Sequence, residues 1–455
     1  MSTIKEIQQI CEKEGVRFID LKSLDLPGRL HHLTLPVEQF NESVLEEGVG
    51  FDGSSYGFAK TENSDMVLIP DPQTSSFDPF RESTTLSMIC GIHLADDHRT
   101  RFHQDVRYIA QKADALLGKL GIADESMWAP EYEFNLFEEV HYRVTPEESS
   151  FAIYSAEFSA GNAYHACNPQ DQFADFRDRV TELMKGQSIN VRYHHHEVGG
   201  YGQQEIEMTF APLVKTCDDA VMARYLMRNQ AISDGLMITF MPKPVLDQAG
   251  NGWHVHQYLV RNGVNVFYQP GEYANISKLA RHYIGGILSH GRALCAITNP
   301  STNSFKRLVP GFEAPTALTY GKANRAGAMR IPAYVSDPAQ VRVEYRPPDA
   351  ASNPYLCLAA ILMAGIDGIV NKIDPIKKGF GPLDGVIGGE SKEIQTLPDS
   401  LTTALNALEE DHEFLLRESV FDEALIERWI SLKREEVRQH LRHPHPYEFE
   451  QYFEF

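Results

Sequence analysis

Residues 127–140, MWAPEYEFNLFEEV, alternate polar and apolar side chains with the two-residue period of a β-strand. In a strand, Glu131 and Glu133 share one face while Tyr132, Phe134 and Leu136 share the other. The chain on either side of it differs in character. Upstream, GVRFIDLKSLDLPGRLHHLTLP alternates around the turn signal Asp25-Leu26-Pro27-Gly28 and reads as a β-hairpin. Further strand-like segments follow in VGFDGSS, DMVLIPD and TTLSMICGIH, whereas helical periodicity begins at Val106–Leu120. A β-rich unit, residues 1–105, therefore precedes a mixed unit, residues 106–455, and the overall class is α+β.

Beyond the strand, Ala174–Met184, Asp218–Ser233, Glu272–Cys295, Leu401–Arg417 and Asp422–His440 carry helical patterning. Short strands are expected around Glu205–Phe210 and Gly252–Leu259. The chain has 455 residues, with 42% apolar and 23% charged side chains, and a formal net charge of −21. That balance argues against sequence-independent nucleic-acid binding. The start, MSTIKEIQQICEKEG, has acids and no apolar core, so no signal peptide is expected. The apolar run Tyr355–Val370 is too short to span a membrane and contains Asp367; it reads as a buried helix. Six scattered cysteines without CxxC spacing point to a reducing, cytoplasmic setting.

Three acidic or imidazole clusters stand out: Glu131/Glu133, His195-His196-Glu197 followed by Glu205 and Glu207, and His254/His256. Taken singly, the first reads as a solvated strand face, the second as a loop before the Gly-rich turn GGYGQ, and the third as a structural pair. Together with a fourth feature they read differently. Residues 301–346 carry seven Lys/Arg against three acids, a local charge of about +4. Arginine is the preferred bidentate donor to phosphate and carboxylate. Several glutamates in one site repel unless divalent ions neutralise them, and an oxygen-rich set with imidazole suits Mg²⁺ or Mn²⁺. No GxxxxGK[ST] is present, so a P-loop is excluded. The residues alone thus point to a metal-dependent enzyme that handles a phosphorylated anion.

Seven blocks in order, FDGSSYGFAKTENSDMVLIPD, APEYEFNLFE, HHEV…GQQEIE, MPKP…GNGWHVHQ, NPSTNSFKRLVPGFEAP, NRAGAMRIP and VEYRPPDAASNPYL, resemble those of type I glutamine synthetase. The resemblance covers nearly the whole chain. It implies a small N-terminal β-grasp domain, a larger catalytic α/β domain, and active sites shared between adjacent subunits of a homo-oligomer, a dodecamer of two stacked hexamers. It also implies the reaction: L-glutamate, ATP and ammonium give L-glutamine, ADP and phosphate through a γ-glutamyl phosphate. By the same resemblance Glu133, Glu197 and Glu205 hold one divalent ion, and Glu131, His254 and Glu344 hold a second that bridges the ATP phosphates. Arg307 grips the glutamate carboxylate, while Arg325, Arg330 and Arg346 lie on phosphate. Gly250 and His256 sit beside substrate, His256 near the nucleotide as well. Glu313 is the flap glutamate, and Asp52 of a neighbouring subunit binds ammonium.

The sequence also departs from that family. Ala249 stands where an Asn that contacts glutamate is usual, and Tyr258 where a Ser near the adenine is usual. The block FDGSSYGF is one residue short after Asp52, and Lys60 takes the place of an Arg that transmits glutamine feedback in the α subtype. GPLDGVIGGESKEI lacks the tyrosine of adenylylated members, so an α-like subtype without adenylylation is expected. Two alternatives are a ligase joining glutamate to an organic amine, such as methylamine, ethanolamine or a polyamine, and a non-catalytic protein on the same fold. Retention of Asp52, Glu313, the six metal-ligand positions and the four arginines favours the ammonia enzyme.

Overall fold

The computed structural model describes residues 4–58, 64–157, 163–384 and 394–455. Lys60 and residues 385–393 of the segment without tyrosine lie outside them. The N-terminal unit is a sheet of β1 (Phe18–Leu24), β2 (Leu30–Pro36), β3 (Val49–Asp52), β4 (Asp65–Pro70), β5 (Ser76–Phe77) and β6 (Thr85–Leu94), ordered β2-β1-β6-β4-β3 with β5 on β6. β1 runs parallel to β6 and every other pair is antiparallel. The β1–β2 turn forms as its sequence demands: Asp25 accepts from the Arg29 amide at 2.7 Å, and Gly28 takes φ +93°. A Cβ at Gly28 would meet Asn353 Cα at 3.0 Å, and the Asn353 amide donates to the Asp25 and Leu26 carbonyls. The hairpin is thereby pinned to the second unit. Arg107 adds a buried tie, reaching Asp71 at 2.9 Å and Asp218 at 2.9 Å.

The second unit is built on a ten-stranded sheet whose central strand is β7 (Glu125–Phe137). The exposed hairpin β8 (Glu139–Val144) and β9 (Ser149–Tyr154) leaves from its end. β10 (Val191–His196), β11 (Gln203–Met208), β12 (Ala211–Pro212), β13 (Met237–Thr239), β14 (Trp253–Arg261), β15 (Val264–Asn265), β16 (Ala317–Lys322), β17 (Gly327–Ile331) and β18 (Val343–Tyr345) complete it. The order is β10-β11-β7-β14-β18-β17-β16, with β12 and β13 on β7 and β15 on β14.

The apolar face of β7 packs on the helices Val106–Lys119 and Leu213–Ser233. Tyr132, Phe134 and Leu136 are buried there, and the Tyr132 hydroxyl donates to the Ala220 carbonyl at 3.0 Å. Truncating a buried aromatic such as Phe134 costs about 3–5 kcal/mol, so this layer fixes the strand's orientation. The helix Pro354–Val370 is buried through Gly368 and packs among Val106–Lys119, Leu213–Ser233 and Lys278–Ser289. Among the described residues no helix is long and apolar enough to cross a membrane.

The helical segments fall near their expected places, with Glu272–Cys295 divided into Lys278–Ser289 and Gly291–Thr298. The expectation of a loop at His195-His196-Glu197 is corrected: both histidines lie on β10, paired with β11, and only Glu197 follows the strand. β10 is an edge strand with polar residues on both faces, so no hydrophobic alternation marks it.

Candidate active site

Register assembles the polar face of the sheet. On β7, Glu131 is paired with Glu207 of β11 and with His254 of β14, and Glu133 with Glu205. His256 of β14 faces Glu344 of β18, which in turn faces Arg330 of β17. His195 of β10 faces Glu205. Because side chains alternate, pairing in this register puts these groups on one face, opposite the helices.

Contacts follow from the register. His254 Nδ1 lies 3.0 Å from Glu131, 3.7 Å from Glu133 and 3.8 Å from Glu344. His256 Nε2 is 2.8 Å from Glu131, and the Gly252 amide donates to Glu133 at 2.6 Å. Ligand atoms of Glu131, His256 and Glu344 lie within 4.8 Å of one another, as do those of His195, Glu197 and Glu205. The resemblance named His254 for the first group and Glu133 for the second. Both stand beside them in the same cavity, of about 160 Å³, while His256 and His195 make the closer clusters.

The cavity is also lined by Gly250, Arg307, Glu313, Arg325, Arg330, Arg346 and Ala249. Arg307 is buried and held by the Pro347, Pro348 and Arg346 carbonyls at 2.8, 3.3 and 3.1 Å, with His254 Nε2 at 3.2 Å. Gly250 is close-packed: a Cβ would meet the Pro242 carbonyl at 2.5 Å and Arg307 Cγ at 2.7 Å. Arg330 pairs with Glu344 through Nε, and Arg346 reaches Glu344 at 3.5 Å and the Glu313 carbonyl at 3.2 Å. Glu313 takes φ +56°, an uncommon conformation for a residue with a Cβ, and stands exposed 3.3 Å from Arg325.

The charges are unevenly satisfied. Against the upward push of burial, His256 and His254 hold Glu131 well below the usual carboxylate range. Arg330 and Arg346 likewise outweigh burial and hold Glu344 low. Glu197 is pushed up to about 7 by burial and by Glu133, and Glu205 well above its usual value by burial, Glu131 and Glu197. Half of the site thus has its cations built in; in the other half Glu197 and Glu205 are crowded by carboxylates and hold their protons more tightly than usual, a cost that a bound cation would relieve. Hard divalent ions fit such a donor set.

Asp52 lies elsewhere, exposed at the end of β3 and outside this cavity. The Ser54 hydroxyl and amide lower its pKa to about 2. Three lining residues carry no sequence signal: Tyr164, Tyr193 and Tyr334 are isolated aromatics brought in from three separate segments.

The chain matches two family descriptions in succession, the glutamine synthetase β-grasp domain over residues 15–95 and the glutamine synthetase catalytic domain over 103–452. The chain belongs to the glutamine synthetase family. It is 42% identical to the glutamine synthetases of Frankia alni and of Aquifex aeolicus, each time over 99% of both chains. Its fold superposes on the Plasmodium falciparum glutamine synthetase with TM-score 0.90 at 27% identity, covering 99% of each chain. The GmaS/ADP complex aligns with TM-score 0.85 at 27% identity over all of both chains. Family membership makes the chain an ATP- and divalent-metal-dependent enzyme that ligates ammonia to glutamate. Of the departures from the family pattern, Ala249 lines the cavity, and Tyr258 packs on Phe210 with ring centroids 4.9 Å apart.

Proposed function

We propose that the chain joins ammonia to L-glutamate in two steps, forming a γ-glutamyl phosphate from ATP and then aminating it. The ligation comes with the family; the division of labour among residues is our reading. What carries it is the single sheet face on which five glutamates, three histidines and Arg330 converge.

Glu133, Glu197 and Glu205 would hold one divalent cation and Glu131, His254 and Glu344 another, Mg²⁺ or Mn²⁺, with His195 and His256 close to the same groups. Bound there, the cations would supply the positive charge that offsets phosphoryl oxygens.

A γ-carboxylate is a poor electrophile, and phosphorylation supplies its leaving group. Arg307, fixed from behind by carbonyls, is suited to orient the glutamate carboxylate, and Gly250 leaves room beside it. Arg325, Arg330 and Arg346 are suited to the phosphates and to charge on the phosphoryl group in flight, and His256 is buried against Glu131 at 2.8 Å. Glu313, on a segment flanked by Pro310, Gly311 and Pro315, would close over the acyl phosphate, exclude water and accept a proton from ammonium. Asp52 is ionised at neutral pH and exposed away from its own cavity, which supports a site completed by the next subunit of a dodecamer of two stacked hexamers.

We assign residues 1–105 to the β-grasp domain and 106–455 to the catalytic domain. We also assign the α-like subtype without adenylylation and a cytoplasmic location, the latter supported by six free cysteines.

The test is ADP release with ammonium, methylamine, ethanolamine and a polyamine, each with Mg²⁺ and Mn²⁺. Ammonium should lead. Ala249, a methyl at the wall where the family usually carries an amide, favours a second reading as an organic-amine ligase. An organic amine leading by orders of magnitude in kcat/KM would establish that reading instead.

A further inference from the structure

A second cavity, of about 880 Å³, lies between the β1–β2 hairpin, the helix Leu213–Ser233 and the segment leading out of β13. Its size falls within the range of roughly 300–1,000 Å³ typical of small-molecule sites. Six cations face it against three acids, in a chain of net charge −21. The acids are already engaged. Asp20 and Asp78 bind Lys22 at 2.7 and 3.3 Å, and Glu436 binds Lys433 at 3.0 Å. Arg29, Arg81, Arg224 and Arg228 pair with no acidic side chain among the described residues.

Two further features define what would fit. Arg228 lies 5.6 Å from the Phe240 ring, and Val221, Ile238 and Met241 extend that apolar floor. Arg228 is exposed at the cleft, and the surrounding protein and the neighbouring Arg224 lower its pKa, so an anion there would be favoured. An arginine over an aromatic ring suits an acid with a planar or apolar body.

The segment at this floor is bonded to residues that adjoin the catalytic cavity. The Asn251 amide donates to the Pro242 carbonyl at 2.7 Å, and its side chain to the Met241 carbonyl at 2.9 Å. Asn303, which lines the cleft, accepts from the Lys243 amide at 2.7 Å, and the Lys243 ammonium lies 4.0 Å from the Phe312 ring beside Glu313. Gly250, Arg307 and the flap are thus attached to the cleft's back.

We propose that this cleft is an effector site for a small molecule with an apolar or aromatic body and a carboxylate or phosphate group. Its occupancy is transmitted to glutamate binding through the shared segment Met241–Lys243. The transmission rests on the reading that Gly250 and Arg307 serve glutamate; the binding does not.

The test uses the assembled full-length enzyme, with phenyl phosphate, phenylacetate and neutral 2-phenylethanol as probes. Calorimetric titration is run with ATP and glutamate absent and then saturating. Binding of either acid but not the alcohol, not competed away by saturating ATP and glutamate though its affinity shifts with glutamate, supports the site and tells phosphate from carboxylate. Arg228→Ser and Arg29→Ser should each weaken binding by about tenfold, with Arg228→Lys retaining most of it. Equal binding by these variants, displacement by ATP, or no binding by the assembled enzyme overturns the site. A change in KM for glutamate on adding the acid, abolished in Arg228→Ser, supports transmission; binding without that change overturns the effector role while leaving the site.

Discussion

Glu205 stands directly opposite Glu133 across the β11–β7 pair, both carboxylates buried on the same face. Like charges in that relation are destabilising even on an exposed sheet, by up to about 1 kcal/mol. The arrangement makes sense only if something cationic occupies it during function. Glu205→Gln should therefore stabilise the metal-free protein by about 1 kcal/mol while abolishing turnover. Wild type should gain melting temperature steeply with added Mg²⁺, and the variant much less. Thermal scans with and without chelator decide it; a metal-free variant less stable than wild type would remove the repulsion argument.

Glu197, pushed up to about 7 by burial and Glu133, gives the same site a pH signature. Its proton must leave before a divalent ion binds. Apparent Mn²⁺ affinity should rise between pH 6 and 7, by up to about tenfold for one proton per pH unit. Mn²⁺ titration followed by electron paramagnetic resonance measures this. A flat profile would mean that Glu197 is not in the binding set.

Gly250→Ala places a methyl against the Pro242 carbonyl and the stem of Arg307. Both contacts fall below 3.0 Å, so the backbone at residue 250 and the stem of Arg307 must both shift. KM for glutamate should rise by about tenfold or more with KM for ATP little changed, because misplacement by an ångström can cost up to about a hundredfold. Initial-rate kinetics in both substrates separate this from general damage, which would shift both.

These effects trace to parts of the site that were unequally legible. The alternation at 127–140 is readable because β7 has a helix-packed face and a polar cavity face, so each residue type records its surroundings. β10 and the β8–β9 hairpin lack such a contrast; much of β8–β9 is exposed, and no buried stripe is written into either. The cationic stretch is readable as a pocket but not residue by residue: Arg307, Arg325, Arg330 and Arg346 line the cavity, whereas Arg342 lies 5.6 Å from the Phe210 ring outside it. Tyr164 and Tyr193 meet His195 in space at centroid distances of 5.3 and 6.0 Å. Nothing in the one-dimensional spacing encodes that meeting.

Glu313→Gln keeps the size of the flap side chain and removes its charge. If Glu313 draws the proton from ammonium, amination should slow more than phosphorylation, and the stranded acyl phosphate should meet water. ADP release should then exceed glutamine formation, with KM for ammonium raised. Measuring both products in one reaction is decisive: a ratio held at one in the variant would deny Glu313 that role.

His290 lies 3.2 Å from Asp367 and 2.9 Å from Asp411, stacked on Phe414 with centroids 4.0 Å apart. Burial disfavours its charge, but hydrogen bonds and attraction to the two carboxylates win and lift its pKa from 6.5 to about 9. Because the folded pKa exceeds the unfolded one, the native state binds the extra proton in that window, and stability falls as pH rises. The contribution is complete below pH 6.5 and lost on passing through about 9. Its ceiling is about 3 kcal/mol, reduced because Asp411 is 41% exposed and screened by water. Urea unfolding at a series of pH values between 6 and 9.5 should show wild type losing stability faster than His290→Gln. Parallel losses in the two proteins would mean that the imidazole between these carboxylates is neutral.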